Sequence, residues 1–170
     1  GGGRLREIIA VDRSEFVAPP PGGVVLLTDV TAPLLGATGA FGSRLAEGLV
    51  RSGLGVLAVA RGQDALATLA ARLGPAVAVL AADRGTLDAS QLIALRAEHP
   101  QLLAIADASG PFQDRAPDLP RAAIAAGLHW VDLADARDWV GGIATLDAEA
   151  RAAGVAVLAG ASSTPALSHA

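Results

Sequence analysis

The run Gly36-Ala37-Thr38-Gly39-Ala40-Phe41-Gly42 sits between an apolar pair, Leu34 and Leu35, and a segment whose apolar residues recur every three to four positions. Three glycines at this spacing serve a strand-to-helix turn in three ways. They let the backbone reverse sharply, let a pyrophosphate approach the amides at the helix N-terminus, and let helix pack closely on strand. With 20 glycines in the chain the spacing alone is a weak signal. Its surroundings strengthen it, because the apolar run VLAVA at 56–60 follows the helical segment and puts the glycines at the head of a βαβ unit.

Working outward, the pattern repeats. Short β-type apolar runs at 34–35 (with a start as early as Val30), 56–60, 76–80, 102–106, 128–131 and 155–159 alternate with helical stretches at 41–52, 63–73, 88–98, 118–126 and 143–153. Gly53, Gly74, Pro100, Gly127 and Gly154 each follow a helical stretch, where a helix must stop. VLAVA (56–60), AVAVL (76–80) and VAVLA (155–159) are continuously apolar, as strands buried on both faces should be. The expected fold is α/β: one Rossmann-type domain over residues 31–170, three layers deep, with a doubly wound parallel sheet ordered 3-2-1-4-5-6. Pro33 predicts a short or irregular first strand, since proline removes a ladder donor. Residues 1–30 form an N-terminal extension in which the apolar run from Val24 to Leu27, after the prolines 19–21, fits an added edge strand.

Composition removes several classes of function. The 170 residues suffice for one core, and a net charge of −4 is wrong for counterion-release binding to nucleic acid. No cysteine is present, so thiol nucleophiles and disulfides are excluded. All 13 basic residues are arginine, and lysine and tyrosine are missing, which rules out a Schiff-base lysine or a paired Tyr/Lys hydride-transfer site within these residues. No apolar run is long enough to span a bilayer, and no leader pattern opens the chain, so the expectation is a cytoplasmic protein without a membrane partner. The lack of methionine and the opening Gly1-Gly2-Gly3 point to a piece of a longer protein.

The candidate site residues lie at the ends of the strands. Arg61 follows the second strand, where such folds read the adenosine ribose: an acid there favours NAD and an arginine accommodates the extra phosphate of NADP. A solvated surface arginine is the plainer alternative, but no Asp or Glu lies between the end of the second strand and Asp64 to compete with it, and NADP is expected in preference to NAD. Asp83, after the third strand, suits either a hydrogen bond from the adenine amino group or a cap on the turn before Asp88. Ser109, Gly110, Pro111 and Phe112, after the fourth, are small enough at their start for the chain to pass close to a cofactor. His129, Trp130, Asp132 and Asp135 cluster around the fifth strand. They lack a metal-ligand spacing and are read as structural, so no metal is expected. Ser162, Ser163 and Thr164 suit either the nicotinamide end of a site or a helix cap.

Taken together, GATGAFG, Arg61, the SGPF of 109–112, HWVDLAD at 129–135 and GASSTPALS at 160–168 resemble the cofactor domain of saccharopine dehydrogenase-like reductases, over roughly residues 34–170. The resemblance implies that Gly36, Gly39, Ala40 and Gly42, with Thr38 and Phe41 in the same turn, hold the pyrophosphate. It also implies that Arg61 meets the phosphate of NADP and that Ser109 to Phe112 lie on the nicotinamide side. It further implies a small-molecule substrate, with much of the substrate site and a homodimer contact carried by a second domain that this chain lacks. No catalytic residue is assigned. Trp130 stands where relatives usually have tyrosine, and Pro33 interrupts a strand that is smooth in them. The leading expectation is an NADP-dependent oxidoreductase acting at a C–N or carbonyl centre; the alternative is a non-catalytic NADP-binding sensor or partner-binding module on the same fold.

Overall fold

A computed structural model describes residues 31–113 and 115–161. The expected strand from Val24 to Leu27 and the residues Ser162, Ser163 and Thr164 lie outside them. The described elements alternate throughout: β1 (Thr31–Leu35), α1 (Ala40–Arg51), β2 (Gly55–Ala60), α2 (Gln63–Leu73), β3 (Val77–Ala81), α3 (Ala89–Glu98), β4 (Ala104–Asp107), α4 (Asp118–Ala125), β5 (His129–Asp132), α5 (Arg137–Ile143), α6 (Asp147–Ala153) and β6 (Val157–Leu158). Single 3₁₀ turns occupy Arg84–Thr86 and Ala144–Leu146. The six strands form one parallel sheet in the order β3-β2-β1-β4-β5-β6. This is the doubly wound Rossmann-type sheet expected from the alternation, with strand order reversing between β1 and β4.

Successive residues of the central strands point to opposite faces, and each face has its own core. Leu34, Val56, Ala58 and Ala106 pack with Ala46 and Leu49 of α1 and Leu66 and Leu69 of α2. Leu35, Leu57, Val59 and Ile105 pack on the other side with Leu92 of α3, Leu119 and Ala123 of α4, Trp139 of α5 and Ala150 of α6. Burial on both sides is why β2 carries no polar residue. The same expectation fails for AVAVL and VAVLA, because β3 and β6 are the outermost strands. Val79 of β3 is 45% exposed and Leu158 of β6 is 40% exposed.

β1 begins at Thr31 and runs through Pro33 without interruption. It pairs with β2 along its whole length but with β4 only at Leu34 and Leu35. Gly36 N–H donates to Val59 O on the β2 side, so alternation points the position of Pro33, like that of Leu35, toward β4. The missing N–H therefore falls where no ladder exists. β4 starts two residues later than its apolar run because Leu102 N–H closes a turn onto His99 O. The helix expected at 143–153 is instead two short helices beginning at Arg137. The Gly141-Gly142 pair hides the first from its composition, and Thr145 Oγ1 draws off the Gly142 carbonyl (2.6 Å) at the join.

Candidate functional site

The glycine turn closes on itself by backbone bonds. Gly36 N–H donates to Val59 O (3.0 Å), Gly39 N–H to Gly36 O (3.0 Å) and Ser43 N–H to Gly39 O (2.9 Å), which starts α1. Gly36 has a left-handed φ of 71°, and a Cβ there would lie 2.8–2.9 Å from Ser109 in the loop after β4. A Cβ at Gly42 would stand 2.1 Å from Gly36 O. The turn is thus clamped between the first turn of α1 and the β4 loop. Gly39 caps α1 without a side-chain bond, and no acid occupies its first turn. Its N-terminal amides and dipole are left free of a protein anion.

These amides open on a cleft of about 610 Å³ across the carboxyl ends of β1 to β4, walled by Gly36, Thr38 and Gly39, Val59 to Gly62, Ala82 to Arg84, Ala108 to Pro111, and Arg115. Of the residues singled out from sequence, Gly36, Thr38, Gly39, Arg61, Asp83, Ser109, Gly110 and Pro111 line it. Four do not. Ala40 and Phe41 open α1 at its edge, with Phe41 72% exposed; Gly42 is buried beneath the turn. Phe112 turns into the core, its ring centroid 5.3 Å from that of Trp139.

Arg61 extends from the end of β2, its side chain largely exposed and 3.9 Å from Asp83 Oδ2. Asp83 Oδ1 accepts from Gly85 N–H (2.7 Å), so it caps the 3₁₀ turn Arg84–Thr86 while its other oxygen faces Arg61. Arg84, Asp107 and Arg115 join the site although nothing in the local sequence gives them a role there. Arg84 Nε donates to Asp107 Oδ2 at 2.7 Å, and the Asp107 side chain is fully buried. Asp107 Oδ1 accepts from Ser109 N–H (2.9 Å) and from Ser109 Oγ. Burial, and then the charge of Arg84, hold the Arg115 guanidinium below its ordinary range. Arg84 stands beside Asp83 at a strand end, the one sequence signal that pointed near it; its partner is 23 positions away.

The cluster around β5 holds the molecule together. Asp132 is 1% exposed; its Oδ2 accepts from Trp130 Nε1 (2.9 Å) and Trp139 Nε1 (2.8 Å), and its Oδ1 from Ala134 N–H (3.1 Å) and Gly160 N–H (2.9 Å). All its lone pairs are engaged, which suits a fastener better than an acid or base. His129 is half-buried, and its Nδ1 accepts from Ala156 N–H (2.9 Å). Burial, followed by the charge of Arg96, lowers its pKa below 6.5.

No protein-family model matches the chain, and no curated protein matches it. Solved structures do. A 3-hydroxyacyl-CoA dehydrogenase type-2 from Mycobacterium avium superposes with TM-score 0.62 at 16% identity, over 80% of this chain and 75% of its own. A short-chain dehydrogenase from Streptomyces avermitilis gives TM-score 0.53 at 19% identity, over 76% and 64%. An oxidoreductase of the short-chain dehydrogenase/reductase family from Burkholderia thailandensis gives 0.51 at 22%, over 75% and 66%. At such identities the likeness is one of fold.

Proposed function

We propose that this chain is an NADP-binding domain of an oxidoreductase acting at a C–N or carbonyl centre, of the saccharopine dehydrogenase-like kind. One observation carries the dinucleotide reading. The side-chain-free N-terminus of α1 opens on a cleft at the switch point of the sheet, beneath a turn packed so closely on the β4 loop and on α1 that neither Gly36 nor Gly42 has room for a Cβ. Diphosphate binding by backbone amides needs such an approach. Arg61 on the rim supports NADP over NAD, with Asp83 beside it at the adenosine end.

When bound, the nicotinamide would supply the hydride. The protein's own part is to hold it: the glycine turn grips the diphosphate, Arg61 the extra phosphate, and Ser109 to Pro111 flank the ribose and nicotinamide. The likeness of fold to short-chain dehydrogenases does not extend to a Tyr/Lys proton-donor pair, because neither residue occurs in the 170. His129 and Asp132 are committed to backbone and indole hydrogen bonds. On this reading the acid/base group and most of the substrate pocket come from outside these residues, and the enzyme works as a cytoplasmic homodimer on a small molecule.

The test is titration of the chain with NADPH by fluorescence, alongside NADPH oxidation with imines, amino acids and aldehydes. Binding without turnover is the expected result, since hydride transfer needs a substrate held within about 3.5 Å of the nicotinamide. Absence of binding overturns the dinucleotide reading. Substrate-dependent oxidation lost in His129→Ala would instead put the chemistry inside this chain.

A further inference from the structure

Arg84 has no assigned role, yet it joins two sides of the cleft. Its backbone belongs to the 3₁₀ turn after β3, on the side where Asp83 faces Arg61. Its side chain, 17% exposed, reaches the end of β4 and donates from Nε to the fully buried Asp107. Its guanidinium carbon lies 6.0 Å from the Trp139 ring centroid, and its Nη2 is buried without a hydrogen-bond partner among the described residues. An unsatisfied buried arm calls for an explanation, and removing the partner of a buried charge is costly, so the Arg84–Asp107 bond is the contact to examine.

What that bond holds is Ser109. Asp107 grips Ser109 through both its N–H and its hydroxyl, and the Ser109 backbone occupies the space a Cβ at Gly36 would need. Ala108 N–H is tied separately to Leu35 O (3.0 Å), which fixes the start of the loop but not the carboxylate. The orientation of Asp107, and so of Ser109 against the glycine turn, therefore depends on Arg84.

Resting on the dinucleotide reading above, we infer that Arg84 is a positioning residue for the cofactor: through Asp107 it sets Ser109 against the Gly36 turn and so shapes the pyrophosphate and nicotinamide side of the cleft. The adenosine side keeps its own supports. Asp83 is held by Gly85 N–H, and Thr86 N–H by Asp83 O, neither of which uses the Arg84 side chain.

The two sides separate in a binding experiment with the whole chain. NADPH spans both; adenosine 2′,5′-bisphosphate uses the adenosine side. Arg84→Gln removes the charge and shortens the reach, and it should weaken NADPH by about tenfold, the scale of one charge-assisted hydrogen bond. Its affinity for the bisphosphate should stay within about twofold of the wild type. Urea unfolding followed by circular dichroism establishes that the variant is folded at the titration temperature. Should it not fold, Arg84→Lys, which keeps the charge without the fork, takes its place under the same criteria, with a loss of a few-fold expected for NADPH. Equal affinity for NADPH in variant and wild type overturns the inference, as does parallel weakening of both ligands, which marks a role in general stability. A wild-type chain that binds neither ligand overturns the dinucleotide reading and this inference with it; one that binds both while the variant matches it overturns this inference alone.

Discussion

Arg61 and His129 show how far one side chain's surroundings set its role. Arg61 is exposed and only loosely held by Asp83, so it can turn toward a ligand phosphate at little energetic cost. Arg61→Ala should weaken NADP by about tenfold, the lower end for a charge-assisted bond because solvent screens the site, and should leave NAD nearly unchanged. Paired titrations check this, and an unaltered NADP to NAD ratio removes Arg61 from the site. His129 makes a prediction about pH. Its folded pKa lies below 6.5 because it is half-buried and faces Arg96, and its Nδ1 must stay unprotonated to accept from Ala156 N–H. Below pH 6.5 the unfolded chain takes up a proton that the folded chain refuses. Stability is thus complete above that pH and declines as pH falls below it, toward the lower folded pKa. Urea midpoints measured from pH 7.5 to 5.5 should show this decline in the wild type and a flatter profile in His129→Gln.

Within α1, two glycines of the same helix should respond oppositely to the same substitution. Gly42→Ala puts a methyl 2.1 Å from Gly36 O and 2.8 Å from Gly36 C, both backbone, so the helix must lift off the turn. A loss of about 1–3 kcal/mol is expected, with weaker NADPH binding because the helix amides move. Gly48→Ala meets nothing within 4 Å and should stabilise the same helix by about 1 kcal/mol without altering binding. Denaturant unfolding and titration of the two variants make the comparison, and matching effects at both positions would mean that the close contact at Gly42 is not what the turn needs.

Across the whole molecule, the β5 side is held by Asp132, which joins β5, the loop after it, α5 and Gly160, two residues past the last strand. Asp132→Ala strands two indole donors and two amides, and at about 1–3 kcal/mol per orphaned buried group it should cost at least about 4 kcal/mol. A loss of less than about 1 kcal/mol in the unfolding free energy measured in urea would show that water or repacking replaces the carboxylate. The sequence announced much of this architecture. Six strands, the strand order and four of the helices were legible because period and helix-stopping residues are local signals, and α2 was read to the residue at Gln63–Leu73. The glycine turn was legible too, since its demands on backbone conformation act within seven positions. By itself, then, the sequence determined the alternation of strand and helix, the turn at their head and the identity of the strand ends. Tertiary structure alone decided which apolar strands lie at the edges, that Phe112 turns inward to Trp139, and that Arg84 meets Asp107. Those contacts join residues 23 or more positions apart, or depend on which strands are neighbours, and no local pattern encodes a partner that only sheet assembly brings within hydrogen-bonding distance.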